Sequence, residues 1–373
     1  MEKIRVATYN VNNLFERPKI MELNGFSEEA KIVLTDIEKL NGLLQHASYA
    51  GTTGEKILVI LEKYFHQRAD NPWFIINEIR GKLFSRKRDG SGLSLVAKGR
   101  DSWLGWVELI KERTNEVSIE NTARVLNAVK ADIVCTVEVD NRTALKNFND
   151  LLLKDFSTAY QHTMLIDGND DRDIDVGVLS NYEIESIASH IDDDYTDANG
   201  KKQKIFSRDY PEFKIKISNN KNLFLLCNHL KSKGYGTPAA SNAKRKRQAD
   251  RIAAILGKYD LANELVIVAG DFNDTPASTP LKNLLNHPDL FDVLNGQNFN
   301  GKRWTYHTGK DQIDFLLVSK PIFDSITEVQ IERRGIFRRG ILLFRKLQTI
   351  LQKHQTMPVF RLHLLFNVSP QNN

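Results

Sequence analysis

The chain of 373 residues holds only two cysteines, Cys135 and Cys227, and no run of eighteen or more apolar residues. Both cysteines fall in apolar, strand-like runs and read as small core residues, which excludes a disulfide framework. The missing long apolar run excludes a membrane-spanning helix. The first residues, Met-Glu-Lys-Ile-Arg-Val-Ala-Thr-Tyr, lack the apolar core of a signal peptide and pass straight into a strand pattern, so the cytoplasm is the expected compartment. A basic body is missing too. The net charge is +5, but residues 331–373 carry eight Lys/Arg and one acid, Glu332, so residues 1–330 are left at −2. Charge therefore gives no support to a nucleic-acid partner. Hydrophobic content of 41% and charged content of 27% describe an ordinary globular chain, long enough for two average domains or one large α/β layer structure.

The most informative stretch is 265–275, Leu-Val-Ile-Val-Ala-Gly-Asp-Phe-Asn-Asp-Thr. Residues 265–269 are unbroken apolar sequence, β-branched at Val266, Ile267 and Val268, which suits a strand buried on both faces. Past Gly270, Asp271 and Asn273 stand two apart and share one side of an extended backbone. A carboxylate at the lip of a buried strand calls for a metal, a cationic group or a polar ligand, because burying it alone is costly. An Asx-turn closing the strand is the competing account.

Residues 3–9 alternate as a first strand that ends at Asn10. From Met21 to about Arg113 the apolar spacing is helical: Ile32, Leu34, Ile37, Leu40 and Leu43–Leu44 mark one helix, Ile57, Leu58, Leu61 and Phe65 a second, and Trp73, Ile76 and Ile79 a third. Residues 85–102 read as a hairpin or exposed loop. Nothing in this segment carries recognisable chemistry, and it reads as an insertion walling one side of a cleft. A capped helix is expected over 118–130, then a strand from Asp132 ending in Glu138, Asp140 and Asn141, then a helix through Leu145, Phe148 and Leu152. An acid-rich loop enters the next strand through Asp175. Strands over 204–218 and 221–227 follow, the second opening into Asn228-His229-Leu230-Lys231. A histidine between an Asn and two lysines, Lys231 and Lys233, suits an oxyanion or phosphate, though a satisfied core or surface histidine is the commoner case. Residues 241–257 form a basic helix with Ile252, Ala253 and Leu256 inward. Its Lys244–Arg247 run reads first as a solvated face and second as a polyanion contact. A short helix through Leu284 and a last buried strand, entered through Asp314, complete the pattern.

Together these stretches resemble the endonuclease/exonuclease/phosphatase superfamily, which contains deoxyribonuclease I, exonuclease III, neutral sphingomyelinases and inositol-polyphosphate phosphatases. The matching pieces are Thr8-Tyr-Asn10-Val, Val137-Glu138-Val, Asp175 within Ile-Asp-Val-Gly-Val-Leu, Asn228-His229-Leu, Gly270-Asp271-Phe-Asn273-Asp, and Asp314 within Gln-Ile-Asp-Phe-Leu. They span residues 4–320 in the family's order, apart from the insertion at 19–117. The resemblance implies an α+β fold: a four-layer sandwich of two mostly antiparallel sheets packed face to face, with outer helices and a helical insertion near the N-terminus. It implies that Asn10 and Glu138 help hold Mg²⁺, with Mn²⁺ as the alternative, and that Asp271 and Asn273 position the attacking water and the phosphate. His229 would hydrogen-bond a non-bridging oxygen, and Asp314 would orient a histidine near the C-terminus. Asp175 joins the catalytic set, and Asn228 and Lys231 the substrate contacts. The implied substrate is a phosphoester, a phosphodiester foremost and nucleic acid among the candidates. No protein partner is inferred.

The family's C-terminal histidine sits in a Ser-Asp-His triplet, and this chain has none. Residues 1–337 read as family sequence. From 338 the chain turns basic, loses strand alternation and, from 333 onward, has no acid. Reverse translation of Lys353–Val359, with each codon started on the third base of the one before, permits Ala-Ser-Asp-His-Ala-Gly, and Met357-Pro358 forces the second Ala. A shift of reading frame between about Phe337 and Phe344 would make 338–373 an out-of-frame tail. The alternative is a genuinely divergent tail in which His354 or His363 replaces the base. A catalytically impaired relic, keeping the metal and phosphate pocket but lacking the Asp-His pair and the last core strand, is the rival to an active hydrolase.

Overall fold

The computed structural model describes residues 3–22, 28–66, 71–114, 116–170, 172, 174–234, 236–306, 308–334 and, for the backbone, 363–368. The chain divides into two compact units, one of Met1–Phe15, Thr114–Lys233 and Thr237–Asn373, the other of Glu16–Arg113 with Gly234–Gly236.

In the larger unit twelve strands build two six-stranded sheets: β1 (Ile4–Asn10), β2 (Ile133–Val139), β3 (His162–Leu165), β4 (Asp175–Ser180), β5 (Glu183–Ala188), β6 (Glu212–Ser218), β7 (Lys221–His229), β8 (Leu265–Asp271), β9 (Leu290–Asp292), β10 (Asp314–Ser319), β11 (Ile326–Glu332) and β12 (His363–Val368). The first sheet has the order β11-β12-β1-β2-β4-β3 and the second β5-β6-β7-β8-β10-β9. Each sheet is antiparallel except for one parallel pair, β1 with β2 and β7 with β8. Parallel neighbours need a crossover. Helix α1 (Glu116–Val129) lies on the first crossover, and α2 (Arg142–Asn147) follows β2. Helix α3 (Pro238–Leu256) makes the second.

Residues from both sheets interdigitate in one core, among them Val6, Ile133, Cys135 and Val178 from the first and Phe213, Leu225, Cys227, Ile267 and Leu316 from the second. The outer faces are covered as well. Leu126 and Val129 of α1 pack on Ala7, Tyr9 and Val134, and Ala249, Ile252 and Leu256 of α3 pack on Val266 and Val268. That makes four layers, helix, sheet, sheet, helix, and explains why β2 and β8 are apolar at nearly every position. Two parallel pairs have a further consequence. Both members of a pair end at the same edge, so the last residues of β1, β2, β7 and β8 gather at one end of the sandwich.

Several local expectations change. The strand expected from 204 starts only at Glu212, past Pro211, which has no N–H for a ladder. Helix α1 begins at Glu116 and carries Ser118 inside it, buried, rather than as its cap. Helix α3 begins at Pro238, with the Thr237 hydroxyl accepting from the Ala240 N–H at 3.2 Å. The tail, expected to lack a strand, supplies β12, which pairs antiparallel with both β1 and β11. His363 takes the register position of Tyr9, one residue before Asn10. The rest of the tail, 335–362 and 369–373 with His354, lies outside the described residues.

The smaller unit has its own core, built by helices Glu28–Leu44 and Thr52–Phe65 around Leu40, Ile57, Leu61, Phe74 and Trp103. The helix expected through Trp73, Ile76 and Ile79 is instead a strand, Phe74–Arg80, paired antiparallel with Leu104–Leu109. Phe74 turns in while Ile75 and Ile79 are exposed, the alternation of a strand rather than the stripe of a helix. Phe84–Arg86 and Leu93–Leu95 form a hairpin that begins one residue before the stretch 85–102 read as hairpin or loop. The insertion therefore mixes helices with β-hairpins.

Candidate active site

Along β1, β7 and β8 the alternation that sends Ile4, Val6, Leu225, Cys227, Ile267 and Ala269 into the inter-sheet core continues to Asn10, His229 and Asp271. All three are buried, and so is Glu138 at the end of β2. The Asn10 Nδ2 donates to Glu138 Oε1 at 2.9 Å and to Asp271 Oδ2 at 3.2 Å. Glu138 Oε1 is 3.8 Å from His229 Nε2. The Asn10 Oδ1 accepts from the Asn12 N–H at 3.0 Å.

Glu138 reaches this group only because β2 is irregular. Its neighbours Val137 and Val139 are both paired with β4, opposite the consecutive residues Val176 and Asp175, so Glu138 is the extra residue of a bulge. Its φ is 63°, left-handed, which costs of the order of 1–3 kcal/mol in a residue with a Cβ. Regular alternation would have put Glu138 on the helix-covered face, away from Asn10 and Asp271.

The chain after β8 is tied back onto the chain after β7. Asp271 Oδ1 accepts from the Asn273 N–H at 2.7 Å, and Asn273, left-handed at φ 51°, donates its Nδ2 to the Leu230 carbonyl at 3.0 Å. The Leu230 N–H returns a bond to the Asp271 carbonyl at 2.9 Å. Asn228 donates to the Ala269 carbonyl at 2.9 Å. Asp314 opens β10 directly opposite Asp271, so an acid entering an antiparallel strand meets one leaving its neighbour. Asp274 is held by two cations, Arg245 at 2.9 Å and Lys233 at 2.6 Å. Burial raises its pKa, but these cations outweigh burial and hold the carboxyl below the usual range. A cavity of about 450 Å³ lined by Lys233, Ser241, Asn242, Asp274 and Ser278 adjoins it.

Asn10, Glu138, His229, Asp271 and Asn273 thus come together, with Asn228 and Asp314 on the same strand ends. Lys231 is held through its main chain, its N–H by Gln248 and its carbonyl by Arg245. Asp175 is engaged by a different partner. It opens β4 opposite Val139, and its carboxylate accepts from the Gly168 N–H at 2.9 Å rather than from the strand-end group. Burial pushes its pKa up to about 8, against the lowering effect of the Gly168 bond, with Asp167 and Asp170 adding to the rise. The proton is therefore held in the folded chain up to about pH 8 and released near 3.8 in the unfolded one. Stability contributed below pH 3.8 is lost as pH rises through this window, by up to about 1.4 kcal/mol per pH unit. In urea titrations from pH 5 to pH 8, Asp175→Asn is expected to gain steadily on the parent chain. A constant gap between the two would remove the buried, protonated Asp175.

The chain matches the profile of the Endonuclease/Exonuclease/phosphatase family over residues 108–336, more than half its length. The chain belongs to this family. Among solved structures it is similar to an endonuclease/exonuclease/phosphatase from Bacteroides vulgatus, at 15% identity and a TM-score of 0.46 over 68% of this chain and 91% of that one. It is also similar to the catalytic domain of human Nocturnin, solved with a bound sulfate anion, at 15% identity and a TM-score of 0.44 over 67% and 86%. A third is truncated Caenorhabditis elegans TDP2, at 16% identity and a TM-score of 0.41 over 66% and 90%. No curated protein sequence matches the chain.

Enzymes of this family typically use a divalent metal, and the strand-end residues fit one. Glu138, His229 and Asp271 each offer a ligand atom, all within 4.8 Å of one another and all buried. Two buried carboxylates converge on a single amide group, which occupies the kind of position a cation takes between acids. Oxygen donors from Glu138, Asp271 and the Asn10 amide, turned to present Oδ1, suit a hard ion such as Mg²⁺. Sequence reading missed the roles of Arg245, Gln248 and Asp274. Asp274 was visible only as one more turn residue, and Arg245 only as one of four consecutive cations.

Proposed function

We propose that the chain is a metal-dependent phosphoester hydrolase acting on phosphodiesters. One observation carries this reading: four strands of two sheets deliver Asn10, Glu138, His229 and Asp271 to a single buried cluster. Asn10 and Glu138 would hold Mg²⁺. When bound, such an ion polarises a phosphoryl oxygen and steadies the leaving oxyanion. Asp271, braced by Asn10 on one oxygen and by the Asn273 N–H on the other, would orient the attacking water. Asn273 sets the turn against which the phosphate would rest, and Asn228 and Lys231 would contact the substrate beside it. His229 would donate to a non-bridging oxygen as charge builds on it. The near-neutral body of the chain gives DNA no preference over RNA, lipid or small phosphodiesters. Hydrolysis of bis(4-nitrophenyl) phosphate that needs Mg²⁺ or Mn²⁺ and stops with EDTA is the expected result. Unchanged turnover in EDTA would sink the reading.

A second reading is favoured by one feature of the sequence, the absent Ser-Asp-His. In it the chain as written is an impaired copy whose tail is out of frame, so that Asp314 has no histidine to orient. Restoring the frame over 338–373 is then expected to raise turnover by about 10²–10⁴-fold, the range for a general acid–base group. Equal rates from both tails would discard the frameshift as a functional matter.

A further inference from the structure

The basic run Lys244–Arg247 contains one residue unlike the others. Arg245 is fully buried, at 0% exposure, on the inward side of α3. Its three nitrogens serve three acceptors: Nε donates to Asp274 Oδ2 at 2.9 Å, Nη1 to the Lys231 carbonyl at 2.6 Å, and Nη2 to Asn242 Oδ1. One helical turn on, Gln248 is buried too, and its Oε1 accepts from the Lys231 N–H at 2.8 Å. Both main-chain groups of Lys231 are thus gripped by side chains of one helix. On the other flank both main-chain groups of Leu230 are taken up at the end of β8 and just past it, the N–H by the Asp271 carbonyl and the carbonyl by Asn273.

We propose that Arg245 and Gln248 are positioning residues of the phosphoester site, holding the peptide after His229 so that His229 and Lys231 stand where the phosphate needs them. The proposal rests on the reading of the strand-end cluster as a hydrolytic site. Three observations support it. A buried guanidinium needs acceptors in a fixed fork, and here two of the three come from separate site loops, 230–233 and 271–274, while the third, Asn242, is on α3 itself. Asp274 follows Asn273 directly, so the same arginine that fixes Lys231 also fixes the end of the Asp271–Asn273 turn. And the grip is main-chain: it specifies where the loop lies without depending on which side chain stands at 231. A displacement of about 1 Å at such a loop is enough to cost 10²-fold in rate.

Gln248 is the position to test, because removing Arg245 would strip a buried Asp274 of one of its two cations and confound loss of position with loss of stability. Gln248→Leu removes the acceptor for the Lys231 N–H. Gln248→Glu keeps it. With bis(4-nitrophenyl) phosphate and Mg²⁺, well below the melting temperature, Gln248→Leu is expected to lower kcat by about 10–100-fold with KM within about 3-fold, and Gln248→Glu to restore most of the loss. The imidazole NMR resonances of His229, assigned by comparison with His229→Gln, should shift in Gln248→Leu and return in Gln248→Glu. If neither the parent chain nor its version with the frame restored over 338–373 hydrolyses the substrate, the reading of the site fails and the imidazole resonances alone decide on the clamp. A melting temperature that falls in Gln248→Leu while kcat, KM and the His229 resonances stay at the parent's values would overturn the proposal, leaving Gln248 a brace of the fold only.

Discussion

In whichever version of the chain hydrolyses bis(4-nitrophenyl) phosphate, Asp271→Ala is expected to lower kcat/KM by about 10³-fold, the scale seen when a preorganised group at the reacting centre is removed. Asp271 is fully buried, and both its oxygens are committed, Oδ2 to Asn10 and Oδ1 to the Asn273 N–H. The alanine would lose a carboxylate at the cluster, the donor-acceptor pair that shapes the Asn273 turn, and a ligand facing Glu138 and His229. Stability should move the other way or not at all. Glu138 and Asp271 share the hydrogens of one Asn10 amide, so deleting one carboxylate relieves a buried like-charge pair. A urea midpoint at or above that of the parent, together with the loss of rate, would mark Asp271 as functional rather than structural. Retention of more than about a tenth of the parent activity would place the chemistry elsewhere.

Strand ends were legible because a short β-branched run such as Val266-Ile-Val suits a doubly buried strand, and a carboxylate at its end is conspicuous. The register that sets His229 beside Asp271 in a parallel pair, and Asp314 opposite Asp271 in an antiparallel one, is settled only by the folded sheet. Glu138 was legible as a candidate and illegible as geometry. Simple alternation sends it to the wrong face, and only the bulge against β4 brings it in. Arg245 was illegible for another reason. Four cations in a row on a helix give no sign of which one turns inward, and the choice depends on Asp274 and Lys231, which are neighbours only after folding. Trp73, Ile76 and Ile79 mislead because a spacing of three fits a helix, while pairing with 104–109, remote in sequence, selects the strand. In the tail, composition argued against a strand, yet residues 363–368 fill the ladder position between β11 and β1. A chain with β1 left unpaired on that side would expose a row of backbone groups, and pairing by 363–368 covers them.

Gly270→Ala should be the most damaging single methyl in the larger unit. Gly270 lies in register with Asn228 in the parallel pair β7–β8, and its φ is 139°, where residues with a Cβ rarely stand. An added Cβ would sit 1.9 Å from the Asn228 carbonyl oxygen and 2.9 Å from its carbonyl carbon. Backbone atoms in the middle of a six-stranded sheet cannot swing aside as a flexible side chain would. The strand pair must part, and with it the two residues that follow in register, His229 and Asp271. The expected cost is at least about 3 kcal/mol, from strain at the dihedral and the broken ladder together. Gly257→Ala is the matched control. Gly257 ends α3 at an ordinary φ of −61°, and a Cβ there would meet only the Ala254 carbonyl at 3.3 Å. It should change stability by no more than about 1 kcal/mol. Urea unfolding of both variants, followed by Mg²⁺-dependent hydrolysis of any Gly270→Ala protein that remains folded, separates the two effects. A Gly270→Ala midpoint equal to the parent's would mean the β7–β8 approach is looser than a Cβ-to-oxygen separation of 1.9 Å implies. A folded but inactive Gly270→Ala would show that the glycine's chief task is to bring Asn228 and His229 close enough to Asp271 to share one phosphate.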